Sequence, residues 1–414
     1  MTSEILNKAE YFDRVIQERH ATHGLVLPAL VLPPYGGEDY QTGNFENCAI
    51  WTGEYIAAQA LRYAVTGQQE AKELARYGVS ALHKLQDITG HEGLIARGFK
   101  AGDEPTWDED FFWKKRGDRT RQGNEWHQAD GYRWLGDASK SQVFGVTFGY
   151  FAYNQFCKPS EEERQEIGRY FSRIVDRIIG SAGRILDSDG QVSGYGNYFP
   201  RQYLGVGGIG PLLMLAKLKL AGRLTGEYRF EQEYQRLLDK GYVRFLERCR
   251  VNPPVLRQLS TSFGSEDNLA MLNYYMLINL EDNDRVLESC RRGLEKRWGV
   301  INDPENSLFN FLYHSTTQKE TPDLKTGIDA LRRFSRDKTV PSVALKRKLP
   351  DSRLRVAKNL FAARIPIESR PIDEYAWRVN PLRRDEWVGE EGTMEFTGVD
   401  FLIATYLGIH QGIF

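Results

Sequence analysis

The sequence predicts an all-α protein, a closed (α/α)6 toroid of six helical hairpins. Three observations predict it. Twelve segments show helical periodicity, with apolar residues three and four positions apart. Segments rich in small apolar residues alternate with amphipathic ones. The stretch Leu61–Gly67 (LRYAVTG) also returns as Leu220–Gly226 (LAGRLTG), each time between a small-residue helix and an amphipathic one. A helix apolar all round is packed on every side, and a one-faced helix meets water. An inner ring wrapped by an outer ring satisfies both kinds.

In chain order, the first helix is expected over 4–19, where Ile5, Ala9, Phe12 and Ile16 form one stripe. Pro28, Pro33, Pro34, Gly36 and Gly37 make 24–46 a loop. An inner helix of small residues, Ala57, Ala58, Ala60 and Ala64, covers 47–65 and ends at Thr66-Gly67. Its outer partner, 69–87, carries Leu74, Tyr77, Ala81, Leu82 and Leu85 on one face. Further pairs follow at 139–157 with 160–180, 201–222 with 229–249, 265–280 with 283–297, and 304–315 with 323–335. A last helix near 396–412 is apolar. An open solenoid ends on a polar cap, so the apolar ending favours closure. The reading is one toroid domain over 1–414. Its two long insertions, 90–138 and 336–395, contribute to the cleft, because long loops in compact domains are usually functional or disordered.

Composition narrows the function. Cores usually stop growing at about 250–300 residues, and closed rings are an exception. The chain has 414 residues, 41% hydrophobic and 27% charged, with a net charge of −1. That balance argues against nucleic-acid or membrane-surface partners. Cys48, Cys157, Cys249 and Cys290 are scattered without a CxxC pair, so neither a zinc ribbon nor a disulfide framework is expected. No metal or cofactor is expected. The polar N-terminus lacks an apolar signal core, so a cytoplasmic location is expected. A leader removed before the numbering would read the same way. No apolar run reaches the ~18 residues of a membrane span.

Three stretches carry a resemblance. Asn47–Ala60 (NCAIWTGEYIAAQA) opens an inner helix with an aromatic residue and glycine. Trp134–Gln142 (WLGDASKSQ) leads into Phe144–Tyr150 (FGVTFGY). Arg370–Pro381 (RPIDEYAWRVNP) precedes Gly398–Gly408 (GVDFLIATYLG). Together they resemble the six-hairpin glycosidase superfamily, whose (α/α)6 toroids include many glycoside hydrolases and polysaccharide lyases. The resemblance implies that fold and, by analogy, carbohydrate chemistry. Relatives often place a carboxylate where this chain has Ser141 or Gln142. An acid role there falls on Asp137.

The densest cluster of reactive side chains is Glu125–Asp137. His127 has the chemistry of a general base near neutral pH. Tyr132 is placed to protonate a leaving oxygen, and Arg97 or Arg133 to hold a uronate carboxylate. Trp126, with Trp107 upstream, offers aromatic faces for sugar rings, and Asp130 adds a polar contact. Asp137 is read either as a cap of the helix that follows or as a catalytic acid. Glu266 and Asp267 open another inner helix, where acids favour the helix dipole or pair with Asp137 as the two carboxylates of a hydrolase. Trp51, Glu54, Tyr195, Tyr203, His314, Trp377 and Arg378 are assigned to the substrate-binding walls. The acidic run Asp103, Glu104, Asp108, Glu109 and Asp110 reads as a solvated loop. The expected activity is cleavage of a glycosidic bond in an oligosaccharide. It runs by paired carboxylates or, on a uronate, by His/Tyr β-elimination. A terpene cyclase, an epimerase and a non-catalytic glycan-binding ring are the alternatives.

Overall fold

A computed structural model describes residues 2–33, 41–42, 47–102, 104, 126–198, 209–248, 265–339, 364–370, 375–379, 381 and 394–414. The described elements are mainly helical. They are α1 (Thr2–Val15), α2 (Cys48–Thr66), α3 (Gln69–Asp87), α4 (Lys140–Phe156), α5 (Glu161–Gly180), α6 (Gly210–Thr225) and α7 (Tyr228–Asp239). There follow α8 (Val243–Arg248), α9 (Ser265–Leu280), α10 (Asp284–Ile301), α11 (Ser307–Thr317), α12 (Asp323–Arg333) and α13 (Val399–His410).

Six of these form a closed inner ring. Helix α2 packs on α4, α4 on α6, α6 on α9, α9 on α11, α11 on α13, and α13 returns to α2. The outer layer is α3 against α2, α5 between α4 and α6, α7 against α6, α10 against α9, and α12 against α11. Helix α1 lies outside α13. Burial explains the layering. Thirteen α2 residues, continuous but for Ile50 between Cys48 and Leu61, are buried, as is every α13 residue from Val399 to Gly408. In α7 only Phe230, Tyr234 and Leu237 are buried, one stripe of a helix otherwise open to water.

The two ends of the ring differ. Inner helices hand over to outer ones through short turns, as at Gly67 and Gly226. Both residues are left-handed (φ 68° and 70°), and each donates its amide to the carbonyl four residues back, Tyr63 or Gly222. Glycine meets that conformation without a Cβ penalty, which is why the Thr-Gly pair recurs. The long connections all lie at the other end, where the inner helices begin. They hold the strands β1 (Ala21–Thr22), β2 (Leu25–Val26), β3 (Ala29–Val31), β4 (Gln41–Thr42), β5 (Phe99–Ala101), β6 (Trp126–Ala129), β7 (Tyr132–Leu135), β8 (Arg184–Leu186), β9 (Val192–Asn197) and β10 (Met394–Phe396). All pairings are antiparallel. β1 pairs with β2, β3 lies between β10 and β4, β7 lies between β5 and β6, and β8 pairs with β9. The six inner-helix N-termini therefore converge on one mouth, and their dipoles favour negative charge there.

Two sequence expectations change in detail. Parts of the loops expected at 24–46 and 90–138 are strands, too short to show alternation. The sixth helix is described from Gly210, and 201–208 lie outside the described residues. The helix expected over 229–249 divides into α7 and α8. Cys48, Cys157 and Cys290 are buried; Cys249 lies outside the described residues. Among the described residues no helix is long and apolar enough to cross a membrane.

Candidate functional site

The first two turns of α2 and the first turns of α9 and α13, with the turn Ala376–Arg378, bring together a polar cluster in the wall of the mouth. Glu54 lies two turns into α2 and is fully buried. Its Oε1 accepts a hydrogen bond from Asn268 Nδ2 of α9 at 3.0 Å. Burial pushes its carboxyl up to about 8. The hydrogen bonds to Asn268 and Tyr375 and the Arg378 charge oppose that rise, while the Asp400 carboxylate adds to it. Glu54 is therefore mostly protonated at neutral pH, a proton donor held in the ring wall.

Asp400, in the first turn of α13, braces this donor. Its Oδ2 accepts from Lys338 Nζ at 3.1 Å and from the Ala376 amide at 2.7 Å. Its backbone carbonyl accepts from Trp377 Nε1 at 2.7 Å, and the Trp377 carbonyl accepts from Asn306 Nδ2 at 2.7 Å. The turn is thus tied to α13 and α11, and it sets Tyr375 against Glu54 and against the Trp51 ring, with centroids 5.3 Å apart. Trp51 Nε1, Glu54 Oε2, Asn268 Oδ1 and the Tyr375 hydroxyl are each buried without a well-formed hydrogen bond. Most buried polar atoms are paired. These four atoms lie on touching residues, with the Glu54 carboxyl facing the Tyr375 hydroxyl.

The remaining predicted residues lie beside this cluster or away from it. Asp267 is ion-paired to Arg297, a buried guanidinium on α10. Glu266, beside it in the first turn of α9, is exposed. His314 sits in the last turn of α11, at the opposite end from the mouth, with Nδ1 3.1 Å from the Lys319 carbonyl. Trp107 and Tyr203 lie outside the described residues. Tyr195 is exposed on β9. Trp377 is buried as an anchor, and Arg378 is half-buried.

The stretch read as one cluster is split by a sheet. In the β5–β7–β6 sheet, alternate residues take opposite faces. On one face His127 stacks on Trp134 at 4.1 Å, and Tyr132 lies under Lys84 Nζ, 3.3 Å from its ring centroid, beside His23 and Phe99. On the other face Trp126 is covered by Lys100 and Arg133, at 4.7 and 5.4 Å. Asp130 and Gly131 are the two-residue turn between the strands, both with positive φ.

Asp137 is left-handed as well, with φ 57°. Its Oδ1 accepts from the Gly194 amide at 2.8 Å, and its own amide donates to Asp187 Oδ2 at 2.7 Å. Arg97 Nη1 donates to its carbonyl at 3.2 Å and lies 3.9 Å from its carboxylate. The cap of α4 is Ser139, in a capping box with Gln142. Asp137 therefore braces the β8–β9 hairpin against the helix start.

Glu54 predicts a pH dependence of stability. Its carboxyl titrates near 4.5 when unfolded and near 8 when folded. Below the first value both states are protonated. Between the two the folded state holds a proton that the unfolded chain has lost. Stability therefore falls as pH rises through this window and levels off above it. At about 1.4 kcal/mol per unit, the drop amounts to a few kcal/mol. Urea titrations of the Glu54→Gln protein are expected to show a flatter profile, and higher stability than wild type at the alkaline end. Equal slopes in both proteins would count against the buried, protonated carboxyl.

No protein-family model and no curated protein matches the chain. Among solved structures it is similar to a GH9 protein of Bacteroides ovatus, with TM-score 0.47 and 10% identity over 100% of this chain and 83% of that one. It is similar to the endoglucanase CelQ of Clostridium thermocellum in complex with cellobiose and cellotriose, with TM-score 0.46 and 11% identity over 99% and 70%. It also matches a glycoside hydrolase family 76 (mannosidase) protein of Bacteroides thetaiotaomicron, with TM-score 0.31 and 10% identity over 98% of both chains. These are distant likenesses.

Proposed function

We propose that the protein is a carbohydrate-active enzyme that hydrolyses a glycosidic bond, with Glu54 as the proton donor. The observation that carries this reading is a fully buried carboxyl at the mouth of the ring. One of its oxygens is fixed by Asn268, and the carboxyl also faces the Tyr375 hydroxyl. Hydrolysis of a glycoside asks for an acid kept protonated near pH 7 and a second carboxylate that activates water or attacks the sugar. Burial supplies the first. For the second, Asp137, Asp267 and Asp400 are all committed to structural partners. Glu266 is the exposed carboxylate of the turn that also carries Asn268, and it takes that role. The Trp51 ring and the Tyr375 and Asn268 polar groups supply stacking and hydrogen bonds to hydroxyls, the pairing that sugar sites need. Arg378, whose charge acts on Glu54, favours a substrate with an acidic group.

The direct test incubates the protein with neutral and uronate-containing oligosaccharides. Reducing ends and ultraviolet absorbance are then followed together. New reducing ends without absorbance support hydrolysis. Absorbance from an unsaturated product points instead to elimination through His127 and Tyr132. Saturable binding without turnover points to a glycan-binding ring.

A further inference from the structure

A cavity lies beside α1, linked to the Glu54 cluster by the Lys338–Asp400 pair. It has a volume of about 340 Å³ and opens between the C-terminal half of α1, the segment after α12, and β10. That volume is at the lower end of the range for small-molecule sites, about 300–1,000 Å³. Its bed is apolar, made by Tyr11, Phe12, Val15 and Phe396.

The charged groups around this bed are almost all committed. Glu395 is held on both oxygens, by Arg19 Nη1 at 2.9 Å and by the buried His20 Nε2 at 3.2 Å. Lys338 is paired with Asp400. Asp337 Oδ1 accepts from the amide and hydroxyl of Thr339, at 2.8 and 2.5 Å. Arg336 is different. It is exposed, and its contact is with the Tyr11 ring, 5.6 Å from guanidinium to centroid; among the described residues no carboxylate pairs with it. The nearby Lys8 ammonium is spent on three carbonyls that end α12, those of Leu331, Arg332 and Phe334.

We propose that this flank cavity binds a small carboxylate with a six-membered-ring body, the carboxylate on Arg336 and the ring on the Tyr11–Phe396 bed. A guanidinium presents a planar fork that matches a carboxylate at two points. Resting on Tyr11 it is already oriented, so little freedom is lost on binding. The apolar bed selects for a flat or C–H-faced ring over a free mineral anion. Two sources share this chemistry, a sugar acid and an aromatic acid. The site meets the Glu54 cluster through the Lys338–Asp400 pair and does not depend on its activity.

The test is isothermal titration calorimetry on the full chain with three probes: glucuronate, benzoate and glucose. It is run on wild type, on Glu54→Gln, and on Arg336→Ala, Arg336→Lys and Tyr11→Ala. At least one of the two acids is expected to bind, equally well to wild type and to Glu54→Gln, with glucose at least tenfold weaker. Arg336→Ala should weaken the acid tenfold or more, and Arg336→Lys by less. Arg336 is exposed, so these variants are expected to fold; a far-ultraviolet spectrum and melting curve confirm it. Tyr11→Ala should weaken binding as well. Binding of glucuronate alone assigns a sugar acid, and of benzoate alone an aromatic acid. If neither acid binds, if Arg336→Ala binds undiminished, or if glucose binds as well as the acids, the assignment is wrong. Loss of binding in Glu54→Gln with full binding in Arg336→Ala would place the acid at the mouth instead and leave the proposed hydrolysis standing.

Discussion

Replacing Glu54 with Gln is expected to lower kcat on an oligosaccharide by about 100-fold to 10,000-fold, the range that positioned acid catalysis contributes. The substitution keeps the volume and can keep the Asn268 bond. It removes the proton that burial holds on the carboxyl. KM should change little, since ground-state contacts survive. Two further readouts separate a catalytic proton from a structural carboxyl. The wild-type rate should fall on the alkaline side as Glu54 loses its proton near pH 8, and that limb should disappear in the variant. A substrate whose leaving group is an acidic phenol needs no proton, so on it the variant should retain most of its rate. A uniform loss on both substrates, or an unchanged pH profile, would overturn the role.

The second large effect concerns stability. Helices α2 and α4 touch backbone to backbone. A Cβ built on Gly145 would stand 2.1 Å from the Ala49 carbonyl oxygen, and one on Gly53 would stand 1.9 Å from that of Gly145. No rotamer relieves a clash between main chains. The two inner helices must separate, opening the ring wall beside Glu54. Gly145→Ala is therefore expected to cost about 3 kcal/mol or more, the upper end for overpacking, although alanine is the better helix former. The control is Gly299→Ala in α10, where an added Cβ meets open space. It should stabilise by about 0.5–1 kcal/mol. Denaturant midpoints at unchanged slope measure both. A neutral Gly145→Ala would show that the crossing has slack.

The helical frame was legible because it rests on local pattern. The small-residue runs of α2 and the one-sided stripe of α3 appear within single segments, and Thr66-Gly67 and Thr225-Gly226 mark where two of them stop. One local signal was available and went unread. Asp130-Gly131 between Trp126–Ala129 and Tyr132–Leu135 is a strong hairpin sign. It would have shown that alternate residues in that stretch part to opposite faces. The site itself was less legible. Glu54 belongs to a wall in the sequence reading, yet its protonation comes from burial beneath elements hundreds of positions away, with the Asp400 carboxylate adding to it. No spacing along the chain encodes that meeting. Asp137 shows the converse. Its place before a helix suggested an acid, while its carboxylate is committed to the amide of Gly194, a contact visible only once β9 is folded back.

Ring closure also bears on how the chain reaches its native state. The seam joins α2 to α13, elements separated by more than three hundred residues, and it buries almost all of α13. Until that last inner helix is synthesised, the matching strip of α2 stays open to water. Entropy also opposes so distant a pairing before other hairpins have docked. Folding should therefore finish late, at this seam, and a stalled nascent chain would present a greasy stripe to chaperones and to its neighbours.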